Sequence, residues 1–288
     1  MRNLGRTLQR LRVLISKPSG FVGFFGVLFF VLMGIFGPLV IPSPKTDVDH
    51  IREGPSAQYL FGTDNNGKDV LLEILRGGAD VLEIAFLTGI LTTIIAVTLG
   101  SLAAYLGGSL DNAINAVANF LLTLPTFILL IVLSTVIRLD NPLLLAVLLS
   151  LLFWPSLMRT VRAQVLSLRE RDYVEAARAL DLGTRHIITQ EILPNMASYI
   201  IINMIFVSTS AIYTMIGLIV LGFVPISIKN PNWGVLVNTA SSAGAINNGS
   251  TALWLLAPVM TIALLQWFLI MLARSIEDTF NPRLKAGG

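Results

Sequence analysis

Eight residues, Gly62-Thr63-Asp64-Asn65-Asn66-Gly67-Lys68-Asp69, offer the first chemistry in this sequence. Their two glycines and lysine stand at the spacing of a phosphate-binding loop, G-x-x-x-x-G-K, whose backbone amides cradle phosphate and whose next residue, Ser or Thr, holds magnesium. Here Asp69 takes the hydroxyl position, and Asp64 adds a second negative charge where phosphate would sit. The approach, GPSAQYLF, is not the β-branched strand that such a loop follows. Calcium fails as well, because no bidentate glutamate closes a twelve-residue loop around DNNGKD. The stretch reads as a polar turn that caps a short interfacial helix. Val70, Leu71, Ile74 and Leu75 share one face of it, with Asp69 and Glu73 nearer the other.

Other chemistries drop out on residue supply. With no cysteine in 288 residues, disulfides, thiolate metal sites and cysteine nucleophiles are excluded. The two histidines, His50 and His186, lie far apart in sequence, which argues against a histidine-based zinc site. No H-E-x-x-H motif and no nucleophile with its base is present, so an intramembrane hydrolase is not indicated.

The elements that must position any function are membrane helices. The chain is 54% hydrophobic and only 13% charged, and its mean hydropathy is +0.76, whereas soluble domains carry about 25% charged residues. Apolar runs of roughly bilayer-spanning length are predicted at 20–41, 84–106, 118–138, 142–160, 198–222 and 252–273. No charge falls well inside them, consistent with a cost of at least ~2.5–3.5 kcal/mol at mid-membrane. Pro125, Pro155 and Pro258 do fall inside and read as kinks or packing points.

Basic residues set the orientation. Arg2, Arg6, Arg10, Arg12 and Lys17 precede the first span without an acid, which predicts a cytoplasmic N-terminus and a retained first helix rather than a cleaved signal. Six crossings then place 42–83 outside, 161–197 inside and the C-terminus inside. Loop 42–83 agrees, with Asp47, Asp49, Glu53, Asp64, Asp69, Glu73, Asp80 and Glu83 against Lys45, Arg52, Lys68 and Arg76. Loop 161–197 carries Arg162, Arg169, Arg171, Arg178 and Arg185, and the tail carries Arg283 and Lys285. The expected organisation is a cytoplasmic segment 1–19, a first helix with extracytoplasmic loop 20–83, a transmembrane core 84–273 containing the loop 161–197, and a cytoplasmic tail 274–288.

That cytoplasmic loop is too long and too patterned for a connector. Between Arg162 and Arg178 the apolar spacing predicts one helix; Asp181 and Gly183 interrupt it; a second helix is predicted from Arg185 to Ile192, ending at Pro194 with Leu193 extended. Ala176 and Ala177 beside Glu175 leave room for close approach by another protein.

Glu175-Ala176-Ala177, with Leu193-Pro194 downstream, resembles the EAA loop of ABC importer permeases, whose consensus is E-A-A, a glycine, then a terminal L-P. The family's glycine falls on Asp181, and the nearest glycine is Gly183; aspartate tolerates left-handed backbone better than most residues, so a shifted bend is expected. GTDNNGKDVLLEIL in turn resembles the segment after the first span of the C-type permease of dipeptide, oligopeptide and nickel importers. AAYLGGSLDNAINAVANFLLTLPTFILL is similar to that family's second cytoplasmic loop and third span.

The resemblance implies an all-α, six-span type I importer fold in the cytoplasmic (inner) membrane. It implies a B-type permease as heterodimer partner, two ATPase subunits and an extracytoplasmic binding protein, with lipid but no nucleic acid among the partners. This chain would bind no cofactor; ATP and magnesium would sit on the ATPases. Glu175, Ala176, Ala177, Asp181, Gly183, Leu193 and Pro194 would form the element docking into an ATPase groove, where Glu175 pairs with a basic group or caps backbone. The loop arginines either dock there or hold the loop to the membrane surface.

Substrate contacts are sought on the fifth span. Asn203, Ser208, Thr209, Ser210, Tyr213 and Thr214 are unusually polar for lipid, and either line a central cavity or make interhelical hydrogen bonds worth under about 1 kcal/mol. The outer stretch FVPISIKNPNWGVLVNTASSAGAINNGS either meets the binding protein or is a re-entrant packing segment. A proton-coupled secondary transporter would call for an intramembrane Asp, Glu or His, and none stands inside these spans; sodium coupling through backbone carbonyls stays open, and a channel would leave the EAA loop unexplained. The substrate itself, whether dipeptide, oligopeptide, nickel complex or oligosaccharide, is not encoded in these motifs.

Overall fold

The computed structural model describes residues 17–139, 141–224 and 232–280, and within these it is helical without strands. The basic N-terminal arginines, Arg283 and Lys285 lie outside the described residues. In chain order the helices are α1 (Pro18–Val40), α2 (Val70–Arg76), α3 (Ala79–Leu106), α4 (Gly108–Thr123), α5 (Thr126–Val136), α6 (Pro142–Leu168), α7 (Asp172–Ala179), α8 (Gly183–His186), α9 (Ala197–Val220), α10 (Trp233–Ser242) and α11 (Ala252–Phe280). Among the described residues five helical stretches are long and apolar enough to cross a bilayer, or six where the bent pair α4–α5 counts as one span.

That pair corrects the expected span 118–138. The axes of α4 and α5 differ by 81° across Leu124 and Pro125. Pro125 has no N–H to continue the ladder and disfavours helical backbone in the residue before it, and Leu124 is accordingly extended. Pro155 and Pro258, by contrast, sit within continuous helices. Helices also outrun the apolar stretches: α6 continues past residue 160 to Leu168 and α11 past 273 to Phe280, because backbone hydrogen bonding does not stop at the edge of the hydrocarbon.

The bundle is centred on α3 and α6. Thr88, Thr92, Ala96, Gly100, Ala103 and Ala104 of α3 are buried and mostly small, so the backbones approach closely. Two hydroxyls cross the seam: Thr88 Oγ1 donates to Ala146 O at 3.5 Å, and Ser150 Oγ lies 3.4 Å from Thr88 O. The first helix, α1, packs through its glycines on α11 and α2. A Cβ on Gly23 would stand 2.6 Å from Leu272 N, and one on Gly37 would stand 2.2 Å from Leu75 O.

At the end bearing the 41–69 loop, GTDNNGKD is the turn expected, with its interior filled by its own side chain. The amides of Asn66 and Lys68 both donate to Asp64 Oδ1, at 2.8 and 2.7 Å, and the Gly67 amide donates to Asp64 O. The donors that would cradle a phosphate are thus satisfied by an internal carboxylate. Asp69 caps α2 by accepting from Leu71 N at 2.8 Å. On α2 the expected faces shift: of the four apolar residues, Val70 and Ile74 are buried, but so is Glu73, only 6% exposed. α2 is tied to α1 and α10 on one side, with Leu71, Leu72 and Leu75 half-buried. Arg76 donates to the carbonyls of Pro38 and Ile41 at the end of α1, and Trp233 Nε1 donates to Ile74 O at 2.8 Å. That tryptophan starts α10, whose Leu236 and Ala240 are also buried, so the described part of the outer stretch packs on the bundle; residues 225–231 lie outside the described residues.

Candidate functional site

The loop between α6 and α9 is a folded appendage of the bundle. The single helix expected over 162–178 is broken in two: α6 ends at Leu168, residues 169–171 turn, and α7 begins at Asp172. Arg171 is extended, with φ −87° and ψ 146°, and the amides of Val174 and Glu175 both bond to its carbonyl. Asp172 and Glu175 occupy the first turn of α7, where acids are favoured by the helix dipole.

Two side chains fasten α7 to the chain itself. Val174 is 0% exposed and Ala177 4%, and both join a cluster with Ile187, Ile192 and Met196 and with Met158, Val161 and Val165 of α6. The two alanines of the motif therefore differ. Ala177 faces its own core and cannot meet a partner, whereas Ala176 is exposed beside exposed Glu175. The 100° step between neighbouring helix positions separates them.

α7 ends in a left-handed bend at the position where the resembled loop has glycine. Asp181 has φ +52°. Its amide bonds Arg178 O at 2.9 Å, and the Leu182 amide bonds Ala177 O at 3.3 Å, the pair of reversed bonds that closes a Schellman helix end. Gly183 follows with φ +71°. The bend is thus not displaced to Gly183; both residues turn.

Beyond it the expected short helix 185–192 is also corrected. The chain becomes helical at Gly183, passes through a wide π-type turn at Ile187–Ile192 and a tight turn at Leu193–Met196, and enters α9 with little interruption. Leu193 is helical rather than extended, at φ −60° and ψ −40°. Pro194 removes one amide from the ladder, and the change of helical pitch around it accommodates that loss. Leu193 packs against the loop cluster and Pro194 is exposed.

Three of the loop arginines make contacts within the chain that the sequence did not indicate. Arg162 forms a two-point pair with Asp111 of α4, Nε to Oδ1 at 2.7 Å and Nη2 to Oδ2 at 2.5 Å. Arg169 Nη1 donates to Ala104 O at 2.7 Å, capping the end of α3. Arg178 lies 5.4 Å from the ring centre of Tyr105 and donates to Arg169 O. These three bind the loop to α3 and α4; Arg162 and Arg169 are half-buried, whereas Arg171, Arg178 and Arg185 are exposed.

What α7 offers outward is a mixed surface: Glu175, Ala176 and Ala179, flanked by Tyr173 and by Leu180, which is 71% exposed. Tyr173 and Leu180 were missed in the sequence. The 3–4 spacing of Tyr173, Ala176 and Leu180 was the available signal, overshadowed by the motif between them.

The six polar residues of α9 point three ways. Asn203, Ser210, Tyr213 and Thr214 share one face; Ser208 turns to α3, where a Cβ on Gly89 would meet its Oγ; Thr209 is buried where its carbonyl accepts from Gln266 of α11 at 3.4 Å. The side chains of Asn203, Ser208, Ser210 and Thr214 each donate to the carbonyl four residues back, at 2.8–3.0 Å, so their hydrogen bonds are within the helix rather than between helices. Asn203 and Ser210 line a cavity of about 320 Å³ between α4, α5, α6 and α9.

Residues 96–286, two thirds of the chain and including this whole loop, match the binding-protein-dependent transport system inner membrane component family. The chain belongs to that family. Its similarity to individual members extends further. It is 28% identical to the dipeptide transport system permease protein DppC of Bacillus subtilis, over 98% of this chain and 88% of that one. It is 29% identical to the DppC of Alkalihalophilus pseudofirmus, over 96% and 90%. With the oligopeptide transport system permease protein OppC of Mycobacterium tuberculosis it shares 31% identity over 76% of each chain. As a member of the family it is a multi-pass inner-membrane transport component, not an enzyme.

Proposed function

We propose that this chain is the C-type permease of an ATP-driven peptide importer and that α7 is the lever through which ATPase motion reaches its spans. The observation that carries this is the seating of α7. Val174 and Ala177 lock it to the cluster formed with α6 and the start of α9, while Glu175, Ala176 and Leu180 face away from the bundle. A push on the outer face is therefore passed to two spanning helices at once rather than absorbed by a loose connector. Coupling is the role of α7 as a unit: Glu175, Ala176 and Leu180 contact the ATPase, Asp181 and Gly183 set the angle of the bend, and Leu193-Pro194 join it to α9.

The chain would bind no nucleotide; ATP and magnesium would be held by two partner ATPases. A second, B-type permease would complete the pathway, with an extracytoplasmic protein delivering substrate at the end bearing the 41–69 loop. The N- and C-termini would lie in the cytoplasm. Peptide as substrate rests on the names of the relatives above.

The test is purification of the tagged chain in mild detergent, reconstitution of what accompanies it, and assay of peptide uptake and ATP hydrolysis. Glu175→Lys should lower uptake per ATP hydrolysed or release the ATPases while the permease still assembles. Recovery of a functional homo-oligomer without an ATPase, or unchanged uptake by Glu175→Lys, would overturn the reading.

A further inference from the structure

The shared polar face of α9 continues onto other helices. Thr126 of α5 and Ser156 and Thr160 of α6 join Asn203 and Ser210 around the 320 Å³ cavity, and no charged side chain lines it. Along α6 the lining runs from Leu152 to Thr160, about 15–27 Å from the helix start at Pro142 at 1.5 Å per residue. Within the expected span 142–160 the cavity therefore occupies the half nearer the 161–197 loop and reaches the end of the span at Thr160.

Across the bend, α4 adds Asn112, Asn119 and Thr123, all exposed. Their spacing of seven and then four residues sets them on one face. Asn119 Oδ1 accepts from Arg159, which lies one turn beyond Ser156 on α6, so this face abuts the cavity's rim. Where the apolar bent pair α4–α5 lies in the membrane, amides turned to hydrocarbon would leave hydrogen bonds unmade at several kcal/mol each. They belong against water, protein or a polar passenger.

The chemistry presented is directional. The Thr160 hydroxyl donates to Leu157 O, the Ser210 hydroxyl to Phe206 O and the Asn203 amide to Tyr199 O, at 2.8–3.0 Å. With those protons held by their own helices, the Thr160 and Ser210 hydroxyls present oxygen lone pairs, and Asn203 presents its carbonyl oxygen beside one remaining N–H, so acceptors of the kind main-chain N–H groups require are available.

We infer that the face of α4, the cavity and the Asn203–Thr214 face of α9 form one neutral track along which the main chain of a translocating peptide is hydrogen-bonded, with Arg159 at its edge. The inference rests on the proposed importer role and narrows it to substrate contact made through backbone amides rather than through side-chain charge.

The chain lacks cysteine, so single cysteines report without background. Asn119→Cys, Ser156→Cys and Ser210→Cys, with Phe29→Cys on the outside of α1 as control, would be made in the whole reconstituted complex. Labelling by a membrane-impermeant, negatively charged methanethiosulfonate would be followed with and without a dipeptide substrate. The three track cysteines should react, and a peptide at ten times its Kd should slow them about tenfold; Phe29→Cys should react only with a membrane-permeant maleimide. Track cysteines that resist the charged reagent with and without ATP, because lipid or a partner helix covers them, would overturn the track. So would labelling that the peptide does not slow. If the unsubstituted complex imports peptide with ATP while the track cysteines fail, the importer reading stands alone; if it does not import, both fall.

Discussion

Asp181 gives the sharpest test of how the coupling loop is built. A residue with a Cβ in the left-handed region costs roughly 1–2 kcal/mol, with aspartate at the low end and a β-branched residue beyond it. Glycine removes that cost but gains freedom in the opened chain, worth about 0.4–1 kcal/mol. Asp181→Gly should therefore be neutral to slightly stabilising for the bend, while Asp181→Val should be worse than glycine by about 1–2 kcal/mol. The affected structure is local: the 2.9 Å bond from Asp181 N to Arg178 O and the 3.3 Å bond from Leu182 N to Ala177 O exist only while φ stays near +52°. Hydrogen exchange of the assembled transporter, read on peptides spanning residues 178–184, reports opening of those amides. The valine variant should exchange about 5–30 times faster than the glycine variant there, with the α3–α6 seam unchanged in both. Equal exchange of the two variants would refute the left-handed bend.

Three further outcomes follow from the packing. Ala177→Leu should destabilise the permease by about 1–3 kcal/mol through overpacking against Ile187 and Val165, whereas Ala176→Leu should leave thermal unfolding unchanged and weaken retention of the ATPases. Gly67→Ala should expose the 41–69 loop to protease, since the new Cβ would fall 1.7 Å from Asp47 O at a φ of +73°. The His50 Nδ1 lies 2.8 Å from Asp47 Oδ2; this hydrogen bond raises His50 above its ordinary 6.5 and lowers Asp47, with Asp49 and Glu53 adding to the rise. A raised histidine contributes fully below its unfolded value and loses that contribution as pH climbs through the folded one, so protease cleavage of the loop should increase from about pH 6 to about pH 8. His50→Gln should flatten that dependence, and an unaltered pH profile would remove the pair from the account.

The membrane-spanning, all-α class was legible in the sequence because the bilayer imposes it. Runs of about 20 apolar residues and the near absence of mid-span charge follow from solvent alone and need no tertiary contact. The EAA loop was legible for a related reason, since a motif of fixed residues and spacing survives whatever lies around it. The capping of α2 by Asp69 was similarly local, decided within three residues. What could not be read was the direction in which side chains face once helices have neighbours. Glu73 looked solvent-facing, yet once α2 is packed between α1 and α10 it is only 6% exposed. Ala177 looked like its neighbour Ala176 until Ile187 and Ile192 folded back onto α7. The arginines of the loop carried a membrane-orientation signal as a count, yet three of them are spent on Asp111, Ala104 and Tyr105, partners 51 to 73 residues earlier in the chain. The polar residues of α9 were visible as composition, but their division among three sides depends on which helix stands at each side. Composition and local pattern fix which solvent a segment needs; only packing decides which of its faces meets that solvent.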